Sequence, residues 1–371
     1  MIVTIKTVKD LCDSLQEWAP LSYQEKYDNS GLLTGSSSDD IKGVLVTLDC
    51  TEQVVEEAIL LGCNVIIAHH PIIFSGLKSI TGKNYVERTI ILAIKYQIAI
   101  YAIHTNLDNV IDGVNSKIVQ RLGLKNVSVL LPKNDQTMLK KLVTYCPTEA
   151  SEKVKQALFD AGAGSIGNYD ECSFSSSGTG TFRPLEGSEP YLGKMGERES
   201  AQEEKIELVF LPHFQNAIVH ALKVAHPYEE VAFQIVSTDN TLPQVGGGII
   251  GELEKEMDEK DFLVFLKSAM NTACVRYSPL RGKSIKKVAA CGGSGSFLLK
   301  NAIYAGADVF VTGDFKYHQF FDSENRIIIA DIGHYESEQY TKELIFEYLN
   351  KKSIKFALHL SKVNTNPVNY L

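Results

Sequence analysis

At 371 residues with 44% hydrophobic content, the chain is long enough for roughly two to three domains, each with a buried core. Charged residues make up 22%, and 37 basic against 45 acidic side chains leave a net charge of -8, which excludes disordered and collagen-like classes. That balance also argues against non-specific nucleic-acid binding, which runs on surplus lysine and arginine, and leaves room only for a local basic groove.

No apolar run approaches the roughly 20 residues of a spanning helix, because Lys95 and Gln97 interrupt the best stretch, Thr89 to Ile103. Lys6, Lys9 and Asp10 stand where a signal peptide needs an apolar block. Seven cysteines (Cys12, Cys50, Cys63, Cys146, Cys172, Cys274 and Cys291) form no CxxC pair. The expectation is a cytoplasmic protein, with no membrane partner and with buried thiols in a reducing compartment.

From Met1 to about Val129 strand and helix alternate. The run IKGVLVTLD suits a strand covered on both faces, Thr51 is placed to cap the helix EQVVEEAILLG, and NVIIA begins the next buried strand. A second βαβ unit follows, with a helix near Tyr85 to Tyr96, the strand IAIYAI and the loop HTNLDN.

The character changes at Leu139. KKLVTYCP reads as a strand, EASEKVKQALFDAGAG as an amphipathic helix stopped by glycine, and Cys172 to Lys205 as a Ser/Gly/Glu/Pro-rich stretch with short strands. KIELVFLP, the helix FQNAIVHALKVA and the strand EVAFQIV repeat the order, so a β-α-β-β-α-β unit fits residues 138–238 as an inserted α+β, ferredoxin-like domain. After residue 239 the first style returns: a helix from Asp261 to Ser268, strand IKKVAAC, turn GGSGS, helix FLLKNAIYAG, strands ADVFVTG and RIIIADI, and a helix from Glu336 to Leu349. The outer segments, 1–130 and 239–371, are expected to pack as one discontinuous α/β domain.

Five histidines, His69, His70, His104, His318 and His334, fall at or just beyond the carboxyl ends of predicted strands, the edge where open α/β sheets bind ligands. In AHHPIIF, neighbouring histidines converge only if the strand ends there, which Pro71 favours; the alternative is a pair that merely caps a strand. HTNLD brings Asp108 to the same edge as a hard oxygen ligand, with His104 and Asn106 available to hydrogen-bond the ligands from behind; alone, such an aspartate reads as a turn residue. DIGHYESE sets His334 and Glu338 four apart, on one helical face, while Glu336 faces elsewhere; alone, it reads as a solvated first turn. Together His69, His70, Asp108, His334 and Glu338 form a mixed N/O set that favours a dinuclear metal site. Two ions about 3.5 to 4 Å apart suit hydrolytic chemistry.

Other motifs carry weaker signals. GGGIIG at Gly246 to Gly251 matches GxGxxG but follows the loop NTLPQV and precedes ELEKEMDEKD, so the dinucleotide reading fails its context. CGGSGSF, with Ser294 and Ser296, stands equally as a phosphate nest or a plain tight turn. GDFKYHQ offers Asp314 and Lys316 as orienting groups and His318 as a proton carrier, or else a surface loop packed on Tyr317 and Phe320. In HPYEEVAF, His226 and Glu229 are expected to organise a turn.

With HHP, HTNLD, GDFKYHQ and GHYESE in this order and NTNPVNYL at the end, the sequence resembles the GTP cyclohydrolase I type 2-like family, also described as Nif-three-like dinuclear metal centre proteins, over essentially its whole length. The resemblance implies a discontinuous Nif-three-like metal-binding α/β domain with a PII-like or CutA-like insert. His69, His70, Asp108, His334 and Glu338 match the family's ligand positions, with Glu338 as the bridge between two divalent ions per subunit, zinc or iron first and manganese, cobalt or nickel as alternatives. It further implies a toroidal homohexamer, and conversion of GTP and water to dihydroneopterin triphosphate and formate. The expected function is a dinuclear-metal hydrolase acting on a nucleotide or phosphorylated small molecule. The alternative is a metal-binding regulatory or chaperone protein without catalysis, its Cys172–Lys205 segment serving as a partner-docking loop.

Overall fold

Apolar β-branched runs punctuated by Gly, Asn and Asp give the chain its strands. A computed structural model describes residues 4–133, 138–241 and 244–371. Leu242 and Pro243, in the loop expected over NTLPQV, lie outside the described residues. The chain divides into two units, one built from Met1–Pro132 with Pro243–Leu371, the other from Lys133–Leu242. In chain order the strands are β1 (Gly31–Thr34), β2 (Gly43–Thr47), β3 (Val65–Ala68), β4 (Ala99–Ala102), β5 (Lys125–Pro132), β6 (Met138–Pro147), β7 (Phe174–Phe182) and β8 (Glu199–Phe210). They continue with β9 (Phe233–Thr241), β10 (Gly246–Met257), β11 (Arg276–Tyr277), β12 (Ile285–Ser294), β13 (Val309–Gly313), β14 (Ile328–Asp331) and β15 (Ala357–Leu360).

The first unit holds two sheets. One has the order β1-β4-β3-β2-β15, parallel except for β1 at its edge. Its β2, β3 and β4 are buried along their whole length, as parallel strands covered by helices must be. Those helices begin where their sequence signals lie: the Thr51 hydroxyl accepts from the Val54 amide ahead of Glu52–Leu60, and the Asn84 side chain caps Tyr85–Lys95. The other sheet has the order β11-β14-β13-β12-β10-β5, with β12, β13 and β14 parallel. In both sheets the parallel strands end in loops that carry the polar residues discussed below.

Three local expectations need correcting. HTNLDN is not an open loop, because the Leu107 and Asp108 amides return to the His104 carbonyl and close a short helix, Thr105–Asp108. The single helix expected from Glu336 to Leu349 is two, His334–Glu338 and Thr341–Asn350. The Gln339 side chain donates to the Glu336 and Met270 carbonyls, so an acceptor that a continuing helix would use is met by a side chain. GGSGS is only partly a turn, since Gly292 to Ser294 continue β12.

The second unit follows the order strand, helix (Ser151–Asp160), strand, strand, helix (Gln215–Ala225), strand, in an antiparallel sheet β7-β8-β6-β9. Val154, Leu158, Ile218 and Leu222 of the helices pack with Leu142, Ile206 and Phe210 of the sheet. The Ser/Gly-rich stretch supplies one nine-residue strand and, after a loop, the start of a twelve-residue one, rather than several short strands. All seven cysteines are free thiols, but Cys274 is exposed and Cys172 partly so, against the expectation that all are buried. Among the described residues no helix is long and apolar enough to cross a membrane.

Candidate metal centre

The parallel strands of both sheets deliver their ends to one place in the first unit. After β3 the ladder runs on for two residues, the His69 and His70 amides donating to the Thr47 and Leu48 carbonyls, before Pro71 ends it. After β4 comes His104, at the start of the short helix that carries Asp108. After β14, Gly333 adopts φ +95, a conformation that favours glycine, and opens the helix bearing His334 and Glu338 on one face. Four imidazoles gather as a result: ring centroids lie 4.9 Å apart for His69 and His70, 5.2 Å for His70 and His334, and 5.3 Å for His69 and His104.

Each imidazole is held from behind through Nδ1. His69 Nδ1 donates to the Ile103 carbonyl at 2.8 Å, and His70, His104 and His334 donate to Asp49, Asp28 and Asp314, each at 2.7 Å. A donor at Nδ1 leaves Nε2 as the lone-pair nitrogen of a neutral ring, which is how metal-ligating histidines are oriented. Asp28 is fixed in turn by the Thr105 amide and hydroxyl, and Asp49 by the Thr365 hydroxyl.

Glu338 divides its carboxylate between two sets of donors. Oε2 lies 3.0 Å from His70 Nε2 and 3.2 Å from His334 Nε2, while Oε1 faces His69 Nε2 at 3.8 Å. His69 Nε2 and Asp108 Oδ1, 3.7 Å apart, are buried atoms that make no hydrogen bond. Polar atoms left in that state cost on the order of 1–3 kcal/mol each unless a ligand meets them. Three groups, His70/His334/Glu338, His69/Asp108/Glu338 and His69/His70/His104, have donor atoms within 4.8 Å of one another and could each hold a metal ion. All donors are nitrogen or carboxylate oxygen, a set that suits zinc, iron, manganese or cobalt.

The ionisable groups of the centre shift one another. Burial works against charge on His70 and His334, but the carboxylates of Asp49, Glu338 and Asp314 outweigh it and push the two up to about 10 and about 11. Burial and the charge of Glu338 push Asp108 up to about 7. Glu338 stays well below the usual carboxylate range; burial alone would raise it, and His334, His69 and His70 reverse the sign. The centre lies in a cavity of about 720 Å³ whose wall includes Tyr27, Phe74, Arg276, Phe297, Tyr335 and the chain's last residues, Asn366 to Val368 and Tyr370.

The sequence profile of the Duf34/NIF3 (NGG1p interacting factor 3) family matches residues 6–367. The chain belongs to this family. A Bacillus subtilis relative named "GTP cyclohydrolase 1 type 2 homolog" is 39% identical over 361 residues, 96% of each chain. Among solved structures, a Bacillus cereus protein related to NIF3 superposes with a TM-score of 0.86 at 37% identity over the full length of both chains. A Staphylococcus aureus protein follows with a TM-score of 0.77 at 33% identity, covering 98% of this chain and 99% of its own.

In this Duf34/NIF3 chain the structure brings His69, His70, Asp108, His334 and Glu338 together. It also places His104 within the donor groups, where the sequence suggested only a supporting role. Asn106 is buried behind it, accepting from the His104 amide and donating to the Ala19 carbonyl. Asp314 and Ser294 line the cavity, whereas Lys316 and His318 do not and are exposed. Tyr317 and Phe321 pack beside His318. Ser296 is occupied as an acceptor from Gln319.

For CGGSGSF the sequence leaves a phosphate nest and a plain tight turn equally open. The Gly292, Gly293 and Gly295 amides already donate to the Asn115, Ser337 and Thr312 side chains, which favours the turn. Glycine is needed there for another reason: a Cβ on Gly293 would stand 2.3 Å from Glu338 Oε1. Glu336 is buried and accepts from the Asn366 side chain, outside the three donor groups. Asp49 and Asp28 were missed. Asp49 carries the same signal as the candidate ligands, a carboxylate just past a strand end, while Asp28 precedes the edge strand β1 and reaches His104 only through the pairing of β1 with β4.

Proposed function

We propose that this chain holds two divalent metal ions and hydrolyses a nucleotide or related phosphorylated small molecule, with GTP cyclohydrolase type 2 chemistry as the specific candidate. The observation that carries the reading is the split Glu338 carboxylate, one oxygen toward His70 and His334, the other toward His69 beside Asp108. His70, His334 and Glu338 would hold one ion and His69, Asp108 and Glu338 the other, with His104 beside His69 and His70. Bound divalent ions supply Lewis acidity and neutralise charge at such a site. The Nδ1 partners keep each ring's lone pair aimed inward, which removes a reorganisation cost on binding. Tyr27 and Phe74, 6.2 Å apart at the rim, offer apolar faces to a planar heterocycle, and a cavity of about 720 Å³ lies within the range of small-molecule sites. The name of the B. subtilis relative supports GTP as the first substrate to try.

Purified protein loaded separately with iron, zinc, manganese and cobalt should release formate from GTP in at least one metal form. Failure of all four on GTP and on a nucleotide and phosphoester panel overturns the hydrolase reading.

One observation favours a second reading, metal handling without catalysis. Asp49, Asp108, Asp314, Asp331, Glu336 and Glu338 line the cavity, and Arg276, the one arginine or lysine among the described lining residues, is paired with Asp331. A polyanion would therefore depend on the metals for attraction. Metal that passes readily to an acceptor protein, with no turnover, selects this reading. Assembly as a homohexamer belongs to both readings and is tested by light scattering.

A further inference from the structure

The motif HPYEE in the second unit begins with a histidine locked by two opposed hydrogen bonds. His226 Nε2 donates to the Tyr145 carbonyl at 2.9 Å, and Nδ1 accepts from the Tyr228 amide at 3.0 Å. The buried imidazole is thereby a fixed strut for the turn, and the Tyr228 ring stands against it at 5.1 Å in a T-shaped arrangement. Beyond Tyr228 lies a second cavity, of about 330 Å³. Its wall includes the rings of Phe182 and Tyr191, whose centroids lie 5.8 and 6.1 Å from that of Tyr228 at interplanar angles of 57° and 49°. These are adjoining walls of a box rather than a closed stack.

A carboxylate is set into this box. Glu203 of β8 accepts from the Tyr228 hydroxyl at 2.8 Å. It lies over Gly180 of β7, where a Cβ would come within 2.0 Å of Glu203 Oε2, so the carboxylate fills space that only glycine leaves. Glu229 also lines the cavity and accepts from the Glu189 amide at 2.9 Å, holding the loop that carries Tyr191. Glu203, Glu229 and Glu230 face a single arginine, Arg183, on this wall. Aromatic faces beside a half-buried carboxylate attract a weakly hydrated cation, whereas an anion would meet three carboxylates against one arginine.

We propose that this cavity binds an organic ammonium cation, a methylated or primary amine of small-molecule size, its charge against Glu203 and the faces of Phe182, Tyr191 and Tyr228. Its lining residues all belong to the second unit.

Calorimetry on the full chain tests it with choline, tetramethylammonium and phenethylammonium, and with 3,3-dimethylbutan-1-ol as the uncharged counterpart of choline. At least one cation should bind at one equivalent per chain; where choline is that cation, the alcohol should bind at least tenfold more weakly. Y191A, E203Q and G180A should each weaken the cation at least tenfold, and E338Q should not. Tyr191 is half exposed, so Y191A keeps the test valid should either of the other variants fail to fold, as judged by circular dichroism. No saturable binding of any cation, equal binding of the alcohol, or binding unaltered in the folded variants overturns the proposal.

Discussion

His70 and Glu338 stand 268 residues apart in the sequence, yet His70 Nε2 lies 3.0 Å from Glu338 Oε2. That contact ties the carboxyl edge of one sheet to that of the other, and Glu338 reaches it from a helix too short to be stable by itself. If Glu338 serves both donor groups, replacing it should empty both. Glu338→Ala is expected to lose most bound metal by elemental analysis after dialysis, whereas Glu336→Ala, whose side chain faces Asn366, should keep it. Asp314→Asn, which weakens the hold on His334 Nδ1, should lower affinity about 10- to 100-fold. Equal metal content in the two glutamate variants would contradict the assignment.

Gly293 offers a sharper geometric test. Its φ of +63 favours glycine, and a Cβ there would meet Glu338 Oε1 at 2.3 Å. Gly293→Ala must therefore move the carboxylate or the backbone, at a cost of about 1–3 kcal/mol. Reduced metal content together with a lower urea midpoint is expected. A stability loss with metal content intact would show that Glu338 Oε1 is not a ligand oxygen.

How far the sequence could be read follows from the range of each interaction. The candidate ligands His69, His70 and Asp108 are legible because a parallel strand of four buried apolar residues announces its own end, and the end is where ligands lie. His334 and Glu338 were legible from helical spacing. His104 was assigned a supporting part because one imidazole at a strand end carries no sign of which way its ring points; that depends on Asp28, 76 residues away. The glycines of CGGSGSF leave a phosphate cradle and a plain turn equally open in the sequence because local pattern cannot distinguish space left for a ligand from space left for Glu338.

Metal should also report on folding of the first unit. A bound cation would meet the orphaned His69 Nε2 and Asp108 Oδ1, a gain to the native state that the unfolded chain lacks. At a free metal concentration of 100 times Kd the gain is about 2.7 kcal/mol. Chelator-treated protein should unfold several degrees lower, with recovery on adding zinc or manganese. An unfolding midpoint indifferent to chelator and metal would mean that these donors bind nothing of consequence.

The second unit has its own dependence on pH. Burial lowers both His226 and His213, the latter to about 4. For His226 the geometry agrees: a proton on Nδ1 would face the Tyr228 amide, donor against donor. An unfolded histidine titrates near 6.5, so between about pH 6.5 and pH 4 the unfolded unit binds more protons than the folded one. Stability from these two residues is therefore present above about pH 6.5 and lost as pH falls through that value toward 4. Hydrogen exchange of the β6 and β8 amides, compared at pH 7.0 and 5.0 after correction for intrinsic rates, should show less protection at the lower pH. His213→Phe, which removes one of the two titrating rings, should flatten the difference. Protection that rises on acidification would mean that the two imidazoles are charged in the folded unit, contrary to the hydrogen bonds that hold His226.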